Sequence, residues 1–374
     1  MGGVKKVLVV GGGIAGLSSA IALRRAGIEV ELVEINTNWK VYHVGLAVQS
    51  NALRALAALG VAQACVAAGF PFDHVSFRDR NGKLLGQVSG LPLAGPHLPA
   101  NLGITRPALH QVLSEAAQSL DTHVRLGVTF SNLEQSAGRV RVAFTDSSTA
   151  DYDAVIGADG IHSKLRSLLF GDEHQPRFTG QSTWRYNVPR PPELDQPFFV
   201  DMPGGTAGFM PLDAKTGYVL LVQSQPGNPR LRPEELAEIF RSRLAICEGP
   251  LAELREHIRD PSQVVYRPLH SIFMPPPWHV GRVLLIGDAV HATTPHLAQG
   301  AAQAIEDAVV LGELLVRDEP TEALFTAFLS RRFERCKRIY DASLQIGEWE
   351  QRPTPEANRV ALVASLFPVF AQPI

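Results

Sequence analysis

Cysteine is scarce in this chain: Cys65, Cys247 and Cys336 are the only three among 374 residues. An odd number at wide spacings argues against a disulfide framework and against a metal knuckle, so no metal site is expected. Free buried thiols in a reducing cytoplasm are the expectation. Charge of one sign is also lacking. The formal net charge is −2, so no bulk basic field invites nucleic acid or anionic lipid. The basic pairs Arg331-Arg332 and Lys337-Arg338 are interleaved with Glu334 and read as the solvated face of a helix. Long apolar runs are missing. Nothing approaches the roughly 18 residues a membrane span needs. The run Val7 to Val10 is too short for a secretory h-region and glycines follow at once. A cytoplasmic protein with no membrane span is expected, as a monomer or homodimer.

The composition that remains is ordinary. Apolar residues make up 45% and charged residues 19%, as in soluble globular proteins. The length is generous for one compact domain and predicts two, or one with a large insertion. Lys5 to Val10 reads as a short buried strand, Ile14 to Ala26 as a helix and Glu29 to Glu34 as a second strand, which makes a βαβ unit. Helices are predicted over Asn51 to Leu59 and Pro107 to Leu120. From Gly180 to Pro276 strand patterns follow one another without intervening helices, which predicts a mostly antiparallel sheet. Val283 to Ile286 returns to a short buried strand, and two long helices are predicted over Gln299 to Val316 and Glu322 to Trp349. The predicted fold class is α/β: a discontinuous Rossmann-like nucleotide domain (residues 1–73, 101–180 and 279–374, the last with C-terminal helices) interrupted by a sheet-rich substrate domain (74–100 and 181–278). The Pro-rich tail from Pro353 either packs on the core, mediates dimerisation or shields the pocket.

Gly11, Gly13 and Gly16 form G-x-G-x-x-G between the first strand and helix. The first glycine permits a tight turn, the second lets backbone approach a pyrophosphate, and the third lets helix and strand pack closely. Ile14 and Ala15 begin the helix, where free N–H groups and the positive dipole end suit phosphate. Glu34 ends the second strand, placed to accept hydrogen bonds from ribose hydroxyls. This combination predicts a dinucleotide with a free 2′-OH, either FAD or NAD.

Two further motifs follow strands. One is Gly157-Ala158-Asp159-Gly160 running on to Arg166. The other is Gly287-Asp288-Ala289-Val290-His291, continuing through Pro295 to Gly300, Glu306 and Asp307. With the first turn, these closely resemble the three fingerprints of class A FAD-dependent aromatic monooxygenases, the p-hydroxybenzoate hydroxylase-like family, over nearly the whole chain. The resemblance implies FAD as cofactor and NAD(P)H as reductant. It also implies a flavin C4a-hydroperoxide, made with O2, that hydroxylates a small aromatic or heteroaromatic ring. It assigns Asp288 to the ribityl chain and Asp159 to FAD and NAD(P)H together. Arg106 and the Gly45 loop fall beside the cofactor, and Pro295 beside the flavin ring. Backbone N–H groups near Gly300 and Ala301 meet the pyrimidine edge. Ala298 stands where the family usually has glycine.

Substrate contacts are expected from the sheet-rich domain. Thr206 matches a position where relatives with acidic substrates often carry Arg or His, and Tyr218 matches a substrate-side tyrosine of urate hydroxylase-like enzymes. Thr206, Met210 and Tyr218 describe a neutral, partly apolar wall. Phe209 and Met210 cannot both line it, because strand residues alternate. Arg185 either pairs with an anionic or phenolate substrate or bridges to a carboxylate within the domain. His296 either transfers protons or stabilises its loop. The alternative on the same scaffold is another FAD-dependent oxidoreductase, an epoxidase or reductase; the halogenase signature W-x-W-x-I-P is absent.

Overall fold

The computed structural model describes residues 3–39, 41–136 and 138–374. Lys6–Val10 lies at the heart of a six-stranded sheet. Its neighbours are Glu29–Glu34, then His123–Leu126 on one side, and Ala154–Gly157, Val283–Leu285 and His279–Val280 on the other. All pairings are parallel except the last. Val7, Leu8 and Val9 are wholly buried, as a parallel strand covered on both faces requires. The helices Ile14–Arg25 and Gly300–Leu315 pack on each other. Gly312 allows this contact, since a Cβ there would stand 3.0 Å from the Ala22 methyl.

A second sheet has seven strands, in the order Val265–Ser271, Arg177–Pro189, Thr216–Ser224, Gly205–Pro211, Phe198–Met202, His74–Arg78 and Leu84–Ser89. It is antiparallel apart from Phe198–Met202 beside His74–Arg78. Its two faces separate by the period-two rule. Trp184, Phe198, Phe209 and Leu221 face the helix Leu236–Arg243 and form a core with Phe240. The opposite face carries Arg185, Asn187, Thr206, Met210 and Tyr218. Phe209 therefore belongs to the helix-side core, while Met210 packs with Tyr218, Phe72 and Leu212.

One expectation is corrected here. Arg332 is no solvated helix residue: it is fully buried, on the inner side of the helix Thr321–Gln351. The tail also forms an unanticipated helix, Arg359–Ala371, which contains Pro368 and so breaks the usual helical pattern. Leu366, Val369 and Phe370 pack on Ile339, Ala342 and Ile346 of the long helix. The Arg54 guanidinium donates to the carbonyls of Phe370, Ala371 and Gln372 and so caps the tail helix. No described helix is long and apolar enough to cross a membrane.

Candidate functional site

The glycine turn has the geometry of a phosphate cradle. Gly11 has φ +108°, and a Cβ there would stand 2.4 Å from the Ala158 carbonyl oxygen. A Cβ on Gly16 would stand 1.8 Å from the Gly11 carbonyl oxygen. Gly13 differs, because a Cβ would meet nothing within 4 Å. It faces open space at the N-terminus of Ile14–Arg25, where no side chain caps the first N–H groups of Ile14 and Ala15. Glu34 accepts from Gly12 N at 2.8 Å and from Asn36 N and Nδ2, both at 2.8 Å. A carboxylate has about four acceptor sites, so capacity remains for a ribose hydroxyl.

Along the same C-terminal edge of the sheet several polar groups converge without partners among the described residues. Arg106 opens the helix Arg106–Ser119, and its side chain makes no hydrogen bond among the described residues; its Nε is buried and unpaired. Burial, the neighbouring Arg185 charge and incomplete compensation by Asp288 and Tyr218 push its pKa down. Asp288 follows the strand Val283–Leu285. Its carboxylate is exposed and unpaired among the described residues, and the protein crowded around it raises its pKa against the pull of His291 and Arg106. Asp159 accepts from Leu165 N at 3.0 Å through one oxygen, while the other is buried and unpartnered. Buried polar groups are normally satisfied. Unpartnered groups around a cradle whose Gly11 and Gly16 leave no room for a Cβ are what a bound dinucleotide would complete, and the residues present fit FAD. Gly45 serves packing: a Cβ there would stand 2.0 Å from Leu212 Cδ2. Arg166 donates to the carbonyls of Ile161, His174 and Ala289, so it ties the Asp159 segment to the Asp288 turn rather than meeting a phosphate.

Pro295 begins a short 3-10 turn, Pro295–Leu297, ahead of the helix Gly300–Leu315, whose first residues are Gly300 and Ala301. Gln49, Asn51 and Gln299 hold this turn. Gln49 donates to Leu297 O at 2.8 Å, and Asn51 donates to Gln299 Oε1 at 2.9 Å. Ala298 is left-handed, φ 51° and ψ 33°, which explains the glycine usual in relatives. Ala298→Gly is expected to stabilise the protein by up to about 1 kcal/mol, read as a higher denaturation midpoint.

Beneath the turn lies a buried ionic cluster. His291, Asp307 and Cys336 bring potential metal ligands within 4.8 Å of one another. Asp307 is already committed, however, to Gly287 N (2.9 Å), His291 Nε2 (2.7 Å) and Arg332 Nε (2.7 Å). The arginine supplies the cationic charge there. Burial alone would raise the pKa of Asp307 and Glu306, but His291 and Arg332 for the first, and Arg332 and Arg335 for the second, hold both low. Burial opposes charge on His291 as well, yet Cys336 and Asp307 keep its pKa high. The signs follow from linkage. The carboxylates contribute stability that is complete above their ordinary value of about 4 and is lost as pH falls through the depressed one. His291 contributes below about pH 6.5 and loses this as pH rises through its elevated value. Thermal melts across pH should show a plateau from about pH 5 to 6.5 with losses on both sides.

The substrate-side residues divide into two groups. Arg185 and Tyr218 face the unpaired Arg106. Arg185 makes no hydrogen bond or ion pair among the described residues, so the intradomain carboxylate bridge does not form. Burial raises the Tyr218 pKa while Arg185 and Arg106 pull against it. Met210 lies beside Tyr218 in the sheet. Thr206 and His296 turn elsewhere. Thr206 donates to Glu350 Oε1 at 2.6 Å. The two His296 ring nitrogens lie 2.9 Å from Thr294 Oγ1 and 3.1 Å from Glu350 Oε2. Neither nitrogen is left for a substrate, so His296 is a loop-holding residue. Glu350 also accepts from Gln181 and from Arg359 of the tail helix. No motif signals Glu350 or Arg359, because they lie on C-terminal helices that only folding brings to the sheet.

A dinucleotide cradle set against the guanidinium-bearing face of a second sheet defines a flavin-dependent oxidoreductase. A family model described as the FAD binding domain matches residues 5–343, and the chain belongs to that family. It is 32% identical over 359 residues to Bacillus subtilis (strain 168) YetM, named provisionally as an FAD-dependent monooxygenase (96% of this chain, 97% of that one). It is 30% identical to the 2-heptyl-3-hydroxy-4(1H)-quinolone synthase of Pseudomonas aeruginosa (96% and 97%). The structure of Klebsiella pneumoniae HpxO complexed with FAD and uric acid superposes with a TM-score of 0.84 at 27% identity (98% and 92%). The protein is an FAD-dependent monooxygenase, with NAD(P)H as the family's usual reductant.

Proposed function

We propose that the protein hydroxylates a small aromatic or heteroaromatic compound bearing an acidic ring N–H or O–H, bound as its anion against Arg185. The carrying observation is a guanidinium with no partner among the described residues on the cofactor-facing side of the sheet, opposite a second guanidinium that is likewise unpaired among them. With Arg106 turned to the cofactor, the half-buried Arg185 is the cation that calls for a substrate anion. FAD, when bound, takes a hydride from NAD(P)H and delivers an oxygen atom from O2. Residues 74–100 and 181–278 act as the substrate domain in this reading, and the remainder holds the cofactor.

The chain supplies position and environment. Gly11, Gly13, Ile14, Ala15, Gly16 and Glu34 would hold the ADP end, and Arg106, Asp159 and Asp288 the flavin half. Gly45 would shape the loop beside the ring. The N–H groups at Gly300 and Ala301 would stabilise negative charge on the reduced ring. Arg185 orients the substrate and keeps it deprotonated, which makes its ring electron-rich. Tyr218, held protonated by burial, donates to it. Met210 and its apolar neighbours exclude water. Pro295 would set the distance between the two rings. Relatives named for urate and for 3-amino-4-hydroxybenzoate support this class of compound.

The test is NAD(P)H oxidation by the FAD-loaded protein across a panel of hydroxylated and N-heterocyclic acids under labelled O2. Acceleration by one of them, with one labelled oxygen in the product, is the expected result. A panel-wide failure to accelerate, or oxidation without incorporated oxygen, would move the assignment to a reductase.

A further inference from the structure

Gly12 lies between the first two glycines of the cradle and is held from three sides. Its N–H donates to Glu34 Oε2 at 2.8 Å. Its carbonyl oxygen accepts from the Trp39 indole Nε1 at 2.9 Å and lies 3.0 Å from His110 Nε2. A carbonyl only accepts, so His110 carries its proton on Nε2. The two rings meet edge to face with centroids 5.0 Å apart. They come from unconnected elements: Trp39 from the segment after Glu34, His110 from the helix Arg106–Ser119. A Cβ on residue 12 would stand 2.4 Å from Trp39 Nε1, so the indole occupies the space a side chain would need.

In a trans peptide the carbonyl of one residue and the N–H of the next point in opposite directions. Fixing the Gly12 carbonyl therefore fixes the Gly13 N–H, on the opposite side of the peptide plane. Gly13 is the cradle glycine that faces open space. A peptide flanked by two glycines rotates readily, because glycine accepts either sign of φ. Rotated by half a turn, it would present an oxygen rather than a hydrogen to a phosphate. We infer that Trp39 and His110 are positioning residues for the FAD pyrophosphate, locking the Gly12–Gly13 peptide with its N–H aimed into the cradle. This rests on the FAD-binding assignment and is independent of the substrate class.

The test measures FAD dissociation from the holoenzyme on dilution, by recovery of flavin fluorescence, together with competition by ADP and by adenosine. Trp39→Phe keeps a ring and removes the N–H; His110→Leu removes the donor, and His110→Gln restores one. Trp39→Phe and His110→Leu are expected to release FAD about five- to tenfold faster and to weaken ADP by a similar factor. His110→Gln should retain most of the affinity, and adenosine, which lacks the pyrophosphate, should bind all variants alike. Wild-type FAD release in both Trp39→Phe and His110→Leu would overturn the inference. So would adenosine weakened as much as ADP, or a His110→Gln variant as impaired as His110→Leu.

Discussion

Replacing Arg332 with methionine should lower stability by about 3–5 kcal/mol, the usual cost of stranding a buried charge. The guanidinium is fully enclosed. It donates to Asp307 Oδ1 at 2.7 Å, to Glu306 Oε2 at 2.8 Å and to Gln303 through both its carbonyl and its side chain. Arg335 would still serve Glu306, but Asp307 would keep only His291 and the Gly287 N–H. The damage should reach the cofactor, because Gly287 immediately precedes Asp288. Denaturant titration with and without FAD reads both effects. A loss below about 1 kcal/mol, with unchanged FAD affinity, would show that the cluster holds neither the fold nor the turn.

Arg185→Met should cut kcat/KM by about a hundredfold or more, chiefly through KM, because it removes one partner of a desolvated charge pair. Methionine keeps much of the side chain's length and apolar bulk, so the sheet's packing is preserved. FAD affinity should stay within about twofold, since Arg106 rather than Arg185 lies near the cofactor-side Asp288. Arg185→Lys should recover part of the loss: an ammonium keeps the charge but lacks the planar fork. Steady-state kinetics on the panel compound with the strongest response decide the matter. Equal efficiency in Arg185→Met and wild type would refute an anion held at this position.

The glycine cradle is readable from motifs because its parts are neighbours in the chain. A strand, three glycines at set spacing, a helix start and an acidic strand end carry their geometry locally. Asp288 was legible for the same reason, as the residue after a buried strand. Arg332 was misread because its pattern of flanking charges is that of a solvated helix, and its acidic partners lie on another helix. Adjacency to Pro295 leaves His296 open between proton transfer and loop holding, and only the 3-10 turn directs its ring toward Glu350. The tail helix escaped notice because Pro368 interrupts an otherwise apolar run.

The amino-acid order by itself determined the nucleotide turn, the class of cofactor and the alternation that assigns strand residues to opposite faces, since these depend on interactions between near neighbours. Tertiary structure alone decided which charges are paired. It left Arg185 and Arg106 without partners among the described residues, gave Thr206 and His296 to Glu350, and set Trp39 and His110 on one carbonyl. Such choices depend on distances between remote segments, and in a low-dielectric interior those distances decide whether a charge is neutralised or left for a ligand.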